Sequence, residues 1–384
     1  MKKLAPLNFV DLFCGCGGFS YGLEQAGHRC LMGVDFDANA IQSFQKNHPD
    51  SQSFCGDIHQ LSHHKLKKML AGHKVDLVVG GPPCQGFSTV GKGDVADERN
   101  SLFKQFVRVV KNLDPEFIIL ENVTGLLAKK NQSVLTQIHQ SFSRLGFHLS
   151  AQVLQSQNFG VPSQRRRTFI FGAKNYDPKL LIPKAKNQKT VTVAQAWRCL
   201  KKKDQLIDPY HNLEKVQLKN QLDYKRLSYI PEGRGIRYPQ DEKKYLPKRY
   251  FLGIDWQSRP EQRLRQTKFL RLDRQKVAPT IMTAKNTYFH PVENRYLTPR
   301  EAGLLQGFPK HFQFHGSYTA VFRQIGNAVP PLLAKSIGEH LLSQKMMKTL
   351  AHSKFNIQEI QKISSQAFDY KLVCSSSKQV IYEK

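Results

Sequence analysis

The segment VDLVVGGPPCQGFSTVGK carries a thiol in a position that suits nucleophilic chemistry. An apolar run at residues 75–79 leads into two glycines and two prolines, and Cys84 and Gln85 follow directly. The prolines stiffen this turn, and active sites of α/β sheets lie at the carboxyl ends of strands. An average cysteine is more often a structural core residue, but this placement favours a reactive thiol.

A glutamate and three arginines adjoin two further apolar runs. Glu121 ends the run PEFIILENV, and Arg165 to Arg167 precede the run TFIFG. A lone glutamate at a strand end is usually solvated, but a Cys and a Glu at one sheet edge favour covalent catalysis assisted by a carboxylic acid. A charge run is most often a solvated face; here we expect the arginines to hold a phosphate or the substrate base.

The segment FVDLFCGCGGFSYGLEQAGH predicts a strand, a glycine cluster and a helix. Gly15, Gly17 and Gly18 would let a ligand approach the backbone at the N-terminus of that helix. The segment departs from the dinucleotide pattern GxGxxG, because Ser20 stands where the third glycine belongs. A nicotinamide-dependent dehydrogenase is therefore disfavoured.

Two acids follow the next apolar runs. Asp35 lies 20 residues after Gly15, which is the offset of an acid that binds a ribose hydroxyl. This spacing favours a cofactor that contains a nucleoside. Asp57, in FCGDIHQL, could accept a hydrogen bond from an adenine amino group, although it could instead cap a helix.

An α/β sheet is needed to position these residues. Short apolar runs alternate with longer amphipathic stretches from residue 8 to about residue 172, which predicts a parallel sheet with crossover helices. We expect the helix SLFKQFVRVVKNL, with Asn100 as its cap, to be core scaffold. The predicted strands are residues 8–13, 30–34, 75–79, 117–120 and 168–171.

After Ala173 the sequence pattern becomes irregular, which predicts a second domain. Residues 181–280 contain 24 Lys or Arg against 10 Asp or Glu, and the 384-residue chain has a net charge of +28. A polyanionic partner is expected, with a merely basic protein as the alternative. Helical pattern returns at residues 298–309 and 327–344.

Other features limit the class of protein. The chain has no run of ~18 apolar residues and no signal-peptide core at its N-terminus, so we expect an intracellular protein without a membrane partner. Seven cysteines without a CxxC pair suggest neither disulfides nor a metal site.

Together these segments resemble the DNA (cytosine-5) methyltransferases, from Phe9 to about Gly338. DLFCGCGG resembles the cofactor loop of that family, GGPPCQGFS its Pro-Cys-Gln nucleophile, and ENV its catalytic acid. PSQRRR resembles its two-arginine element, with Ser163 where the family usually has Gln. RYLTPREAGLLQGFP resembles the element that supports the recognition domain, and QIGNAV the segment that returns to the cofactor pocket.

The resemblance implies a doubly wound, Rossmann-like catalytic domain dependent on S-adenosylmethionine in residues 1–180. It implies a smaller, irregular DNA-recognition domain in residues 181–317, and a C-terminal helix with a tail in residues 318–384. The substrate would be a cytosine flipped out of duplex DNA. Catalysis would fall to Cys84, Glu121, Arg165 and Arg167, with Arg165 fixing the base, and the cofactor would be held by Phe13, Gly15, Gly17, Gly18, Asp35, Asp57, Pro82 and Asn327.

Two rivals share parts of this pattern. A catalytically silent DNA-binding protein would need neither PCQ nor ENV, and both are present. A tRNA cytosine methyltransferase usually has a short second lobe with Cys-Phe-Thr, which this chain lacks. The absence of regulatory domains favours, by analogy, a monomeric prokaryotic modification enzyme in the cytoplasm, associated with the nucleoid through DNA and paired in function with a restriction endonuclease without a stable complex.

Overall fold

The computed structural model describes residues 2–3, 5–83, 100–185, 189–256, 267–343 and 345–346. Cys84 and Gln85 lie outside the described residues. The chain divides into two compact units. Unit 1 consists of the described residues within Met1–Gln155, Arg166–Ala185 and Leu333–Lys384, and unit 2 of those within Ser156–Arg165 and Lys186–Leu332. The assignment of catalysis to residues 1–180, of DNA recognition to 181–317 and of a returning helix to 318–384 stays a prediction.

Unit 1 is built on a mixed seven-stranded sheet. Besides a short antiparallel pair, β1 (Lys2–Lys3) with β9 (Lys345–Met346), its strands are β2 (Asn8–Leu12), β3 (Arg29–Asp35), β4 (Gln52–Cys55), β5 (Leu77–Gly80), β6 (Phe117–Val123), β7 (His148–Gln155) and β8 (Arg166–Ala173). The order in the sheet is β4-β3-β2-β5-β6-β8-β7. The first five of these strands are parallel, and β8 is antiparallel to both β6 and β7.

The five strands predicted from sequence are present, with bounds shifted by a few residues. The predictions missed β4 and β7, and the all-parallel sheet was wrong at β8. A parallel connection needs a crossover of roughly a dozen residues or more, usually with a helix. Only residues 156–165 join β7 to β8, so the chain returns antiparallel instead.

Helices cover this sheet and supply much of its core. They are α1 (Gly18–Gln25), α2 (Ala38–Asn47), α3 (His63–Met69), α4 (Asn100–Leu113) and α5 (Gln132–Ser143). Phe106, Val109 and Val110 of α4 are fully buried against the sheet. The prediction that α4 is core scaffold is confirmed, although the helix already includes Asn100, which was expected to precede it as a cap.

Unit 2 is made of short helices and irregular segments. The helices are α6 (Val193–Ala196), α7 (Asp204–Ile207), α8 (Gln221–Ser228), α9 (Pro239–Tyr245), α10 (Pro299–Leu305) and α11 (Tyr318–Asn327), and α12 (Pro331–Ser343) follows. Strand-like pairing in the described part of unit 2 is limited to isolated bridges. The buried guanidinium of Arg271 donates to the carbonyls of Leu227, Ile230, His290 and Glu293, so it organises a region with little regular structure.

The carboxyl ends of β2, β3, β5 and β6 lie at one edge of the parallel part of the sheet. The register pairs Leu12 with Gly80, Gly80 with Leu120, and Asp35 with Cys55. Residues that immediately follow these positions therefore meet at the edge where α/β proteins bind ligands. In the ranges that the structure describes, no helix is long and apolar enough to cross a membrane.

Candidate active site

The glycine loop after β2 is closed on one side and open on the other. Phe13, Gly15 and Gly17 all have positive φ, at 62°, 55° and 87°. A Cβ on Gly17 would lie 2.3 Å from Nε2 of the buried His48, so this position requires glycine. A Cβ on Gly15 would meet no atom within 4 Å, so there is room for a ligand beside Gly15.

Asp35 ties this loop to the end of β3. One carboxylate oxygen accepts a hydrogen bond from the Gly15 amide at 2.8 Å, and the other accepts from the Asp37 amide at 2.9 Å. Burial raises the pKa of Asp35, and the two amide hydrogen bonds oppose that rise. A carboxylate offers about four acceptor positions, so Asp35 can also accept from a ligand hydroxyl. The structure thus brings the predicted residues Gly15 and Asp35 together.

Phe36 was missed by the sequence predictions. Its side chain is 75% exposed, directly after Asp35. A large apolar ring in solvent, next to the acid predicted to bind a ribose hydroxyl, is available to stack on a planar heterocycle. The signal that could have found it is an aromatic residue immediately after a strand-end acid.

Asp57 lies two residues beyond β4, which pairs with β3. One of its oxygens accepts from the His59 amide at 2.9 Å and from the His59 ring at 2.7 Å. The hydrogen bond from the His59 backbone is the main reason that the pKa of Asp57 is lowered. The helix-cap role that the sequence left open is therefore present, and the carboxylate is also exposed to solvent.

Glu121 and Arg167 form an ion pair across β6 and β8. The Arg167 Nε lies 3.1 Å from Oε1 of Glu121, whose residue is 8% exposed. A Cβ on Gly81 would lie 3.2 Å from the other Glu121 carboxylate oxygen, and the Asn122 amide donates to the Pro82 carbonyl at 3.1 Å. The turn that leads to Cys84 in the sequence is thus held against the strand that carries Glu121.

Arg165 belongs to unit 2 and has different partners. It is 1% exposed, and its guanidinium donates to the carbonyls of Gly326 at 2.7 Å and Asn327 at 3.1 Å. Because β8 begins only at Arg166, Arg165 lies in the connection before the strand. Arg167, rather than Arg165, therefore lies beside Glu121.

The end of α11 carries the predicted residue Asn327. Its side chain is exposed, and its carbonyl accepts from Arg165. A Cβ on Gly326 would lie 2.6 Å from the Thr283 amide, so the glycine of QIGN permits a close backbone contact. Ser163 is fully buried and forms an isolated β-bridge with Ala278. In this bridge the backbone amide of Gln164 donates to the Ala278 carbonyl at 2.8 Å.

A buried acid beneath the glycine loop was also missed. Asp11 of β2 is 1% exposed and accepts a hydrogen bond from the Ser20 hydroxyl at 2.6 Å. Burial raises the pKa of Asp11 to about 7. Gly17 caps α1 without a side chain, so Asp11 holds the first turn of this helix through Ser20.

Comparison with known proteins identifies the family of this chain. The family described as C-5 cytosine-specific DNA methylase matches residues 7–343 of the chain. The chain belongs to this family. The match spans the glycine loop, Glu121, Arg167 and α11, and the enzyme is a DNA (cytosine-5) methyltransferase, as the sequence predicted.

Several relatives resemble this methylase over most of their length. The type II methyltransferase M1.HphI of Haemophilus parahaemolyticus is 34% identical, with 88% of this chain and 87% of the relative covered. M.DdeI of Desulfomicrobium norvegicum is 30% identical, with 87% and 88% covered. A solved structure from E. coli, assigned as a DNA modification methyltransferase encoded within a prophage, is 27% identical with a TM-score of 0.67, and the alignment covers 87% of this chain and 98% of that one.

These findings confirm the predicted family, enzyme class and Rossmann-like methyltransferase fold. Proteins of this family use S-adenosylmethionine and act on DNA. The role of each residue of this methylase stays a prediction. The same holds for Cys84, which lies outside the described residues.

Proposed function

We propose that this methylase flips one cytosine out of duplex DNA and methylates its C5 through a covalent bond between Cys84 and C6. The observation that carries the proposal is the Glu121–Arg167 pair, with 3.1 Å between Nε and Oε1, beside the Gly81–Pro82 turn that precedes Cys84 in the sequence. A carboxyl group and a guanidinium side by side can bond the polar edge of a cytosine.

The thiolate is needed because C5 of an aromatic cytosine is a poor nucleophile. Addition of the Cys84 thiolate to C6 breaks the aromaticity and moves the electron pair of the C5–C6 bond towards C5. Glu121 bonds N3 and protonates it as the adduct forms, and Arg167 holds the base and offsets the developing negative charge. We assign the fixing of the base to Arg167 instead of Arg165, because Arg167 is the partner of Glu121.

The residues at the glycine loop fit S-adenosylmethionine. The open space at Gly15, the Asp35 carboxylate, the exposed Phe36 ring and the exposed Asp57 together provide backbone, hydroxyl-binding, stacking and amino-binding groups. When bound, the cofactor supplies an electrophilic methyl group on a sulfonium. The residues that would hold it are Phe13, Gly15, Gly17, Gly18, Asp35, Phe36, Asp57, Pro82 and Asn327.

The reaction ends when the ring becomes aromatic again. The proton on C5 leaves to a base, its electron pair re-forms the C5–C6 double bond, and the Cys84 thiolate departs from C6. N3 returns its proton to the Glu121 carboxylate, which restores the acid for the next turnover. Extrusion of the nucleotide costs a few kcal/mol by the usual estimate, which phosphate contacts from the basic segment at residues 181–280 offset.

Conversion sequencing of DNA tests this proposal. Unmethylated phage DNA is incubated with the protein and S-adenosylmethionine, and 5-methylcytosine is mapped. We expect methylation at one short motif, and none with Cys84→Ser, which should still bind the cofactor. If no methylated cytosine formed in DNA although the cofactor was bound, the substrate would be another nucleic acid, such as tRNA.

A covalent trap tests Cys84 separately. DNA with 5-fluorocytosine at the target lacks the C5 proton that elimination requires, so the adduct should survive denaturation. The wild type should form this adduct and Cys84→Ser should not. An adduct of equal yield with Cys84→Ser would remove Cys84 from the mechanism.

The type II relatives suggest a biological role for the modification. We infer that the enzyme acts as a monomer on chromosomal DNA in the cytoplasm of a prokaryote, and that the methyl mark protects the DNA from a restriction endonuclease of the same specificity. Host DNA from cells that express the gene should resist an endonuclease that cuts the mapped motif. Full cleavage of that DNA would exclude protection.

A further inference from the structure

Unit 2 carries two adjoining surface cavities with a shared basic wall. Their volumes are about 460 Å³ and 280 Å³, and both are lined by Lys215, Lys285 and Tyr318. The larger cavity is also lined by Pro209, Tyr210, Gly316, Ser317 and Thr319. Its described lining therefore contains two cations and no carboxylate.

The walls of the larger cavity are fixed by tyrosine hydroxyls. The Tyr210 hydroxyl donates to the Gly316 carbonyl at 3.2 Å, and the Tyr318 hydroxyl donates to the Pro209 carbonyl at 2.9 Å. The Tyr318 oxygen also accepts from the backbone amide of Asn212 at 3.3 Å. Burial raises the pKa of both tyrosines, so their rings add no negative charge. The concave shape is present before any ligand arrives.

The two lysines are exposed, and no described carboxylate forms an ion pair with either. The Lys215 ammonium lies 5.5 Å from the centre of the Tyr318 ring, which gives it a defined position. Asp223 lines the smaller cavity, but it pairs with Arg226 at 3.3 Å. The positive charge of this surface is therefore left for a ligand.

Helix α11 joins this surface to the segment that carries Lys285. The backbone at Met282–Thr283 approaches Gly326 so closely that a Cβ there would lie 2.6 Å from the Thr283 amide. Lys285 follows two residues later, while Tyr318 begins the same helix. Arg165 holds the other end of α11 through two carbonyls. The positions of the lysines thus depend on packed, hydrogen-bonded backbone.

We propose that Lys215 and Lys285 bind the phosphodiester backbone of duplex DNA, without contact to the bases. The proposal rests on the DNA-modifying function and names the residues of unit 2 that hold the substrate. Lysine binds phosphate as a point charge and carries no information on sequence. The open cavity, without an enclosed apolar floor among its described lining residues, suits a continuous backbone better than a small metabolite.

Salt-dependent binding tests the proposal. Affinity for a duplex of mixed sequence is measured at several salt concentrations for the wild type and for Lys215→Ala/Lys285→Ala. Each lost phosphate contact should reduce the magnitude of the log-log slope by about 0.9, so the double variant should lose about 1.8. Lys67→Ala/Lys68→Ala on α3 removes the same charge from exposed positions of unit 1 and should keep the wild-type slope.

One further variant separates charge from folding, and a comparison of two DNA substrates separates phosphate contact from base contact. Lys215→Arg/Lys285→Arg should retain the slope, because phosphate accepts either cation. Lys215→Ala/Lys285→Ala should weaken binding by the same factor for DNA that contains the target motif of the enzyme and for DNA of mixed sequence. An unchanged slope in the alanine pair would overturn the proposal, and so would a loss confined to the motif. Binding is measured without methyl transfer, so failure of the Cys84 mechanism would leave this result intact.

Discussion

Arg167→Met tests whether Arg167 holds the base, as we propose, or whether Arg165 does, as the sequence analysis predicted. Methionine keeps much of the side-chain length but removes the guanidinium, and leaves Glu121, 8% exposed, without its cation. Removal of one partner of a buried pair costs about 3 to 5 kcal/mol. We expect a smaller loss than this, because the side chains keep 20% and 11% exposure and solvent screens a partly exposed pair.

The effect on rate should be larger than the effect on folding. If Arg167 stabilises charge that develops on the base, its loss should reduce kcat by about 10²- to 10³-fold, as for other charge-stabilising donors. Arg165→Met should behave in the opposite way. It removes two charge-assisted hydrogen bonds to Gly326 and Asn327 from a residue that is 1% exposed. A loss of about 1.5 to 3 kcal/mol per bond would lower the stability of unit 2.

Two measurements distinguish these outcomes. Single-turnover methyl transfer gives the rate of folded enzyme, and urea unfolding gives the stability. We expect Arg167→Met to lose rate mainly and Arg165→Met to lose stability mainly. If Arg165→Met abolished turnover at an unchanged urea midpoint while Arg167→Met stayed within a few-fold of wild type, the assignment of the base-holding role would be refuted.

Three further predictions concern the cofactor loop. Gly17→Ala should weaken S-adenosylmethionine binding by about tenfold or more, because the added Cβ would lie 2.3 Å from the His48 ring. Gly72→Ala is the control, because Gly72 also has positive φ but an added Cβ there would meet no atom. Equal titration curves for the two variants would contradict the prediction for Gly17. Asp35→Asn should weaken the same binding by about 10- to 100-fold through a lost charged hydrogen bond, and an unchanged Kd would exclude its role. The raised pKa of Asp11, about 7, means that its contribution to stability is full below about pH 4 and is lost as the pH rises to about 7. Asp11→Asn should therefore flatten the fall of the urea midpoint between about pH 4 and about pH 7, and a parallel fall in both proteins would refute this.

Much of the catalytic fold was predictable because its strands are apolar runs that end in Gly, Asp or Pro. The predictions failed where local pattern was weak. The sheet-edge strand β7 alternates only partly between buried and half-buried residues, and β4 has four residues. The antiparallel course of β8 depends on how the short connection at residues 156–165 turns, which periodicity does not encode.

The candidate site was predictable at the level of residue type and sheet edge. Glu121, Asp35 and Gly15 lie at or just after the carboxyl ends of their strands, as the sequence predicted. The sequence prediction gave the fixing of the base to Arg165, whereas we propose Arg167, because strand register decides which arginine contacts Glu121 and local pattern does not encode register. Asp11 was missed because a single acid within an apolar run gives no sign of its partner, Ser20.

The contact between Arg165 and the end of α11 also bears on how this enzyme family could diversify. Residues 165 and 326 are separated by 161 positions, yet a single hydrogen bond of 2.7 Å joins them, so the intervening chain leaves and returns at one anchored point. Loop-closure entropy rises only slowly with length, by about 0.6 kcal/mol per doubling. The first part of this stretch, residues 166–185, belongs to unit 1 and includes β8 with Arg167, so it cannot be exchanged. The part that lies in unit 2 could be lengthened, shortened or replaced with little penalty to the sheet. A new DNA specificity could thus be acquired by replacing that part alone, with β8 and the Glu121–Arg167 pair unaltered.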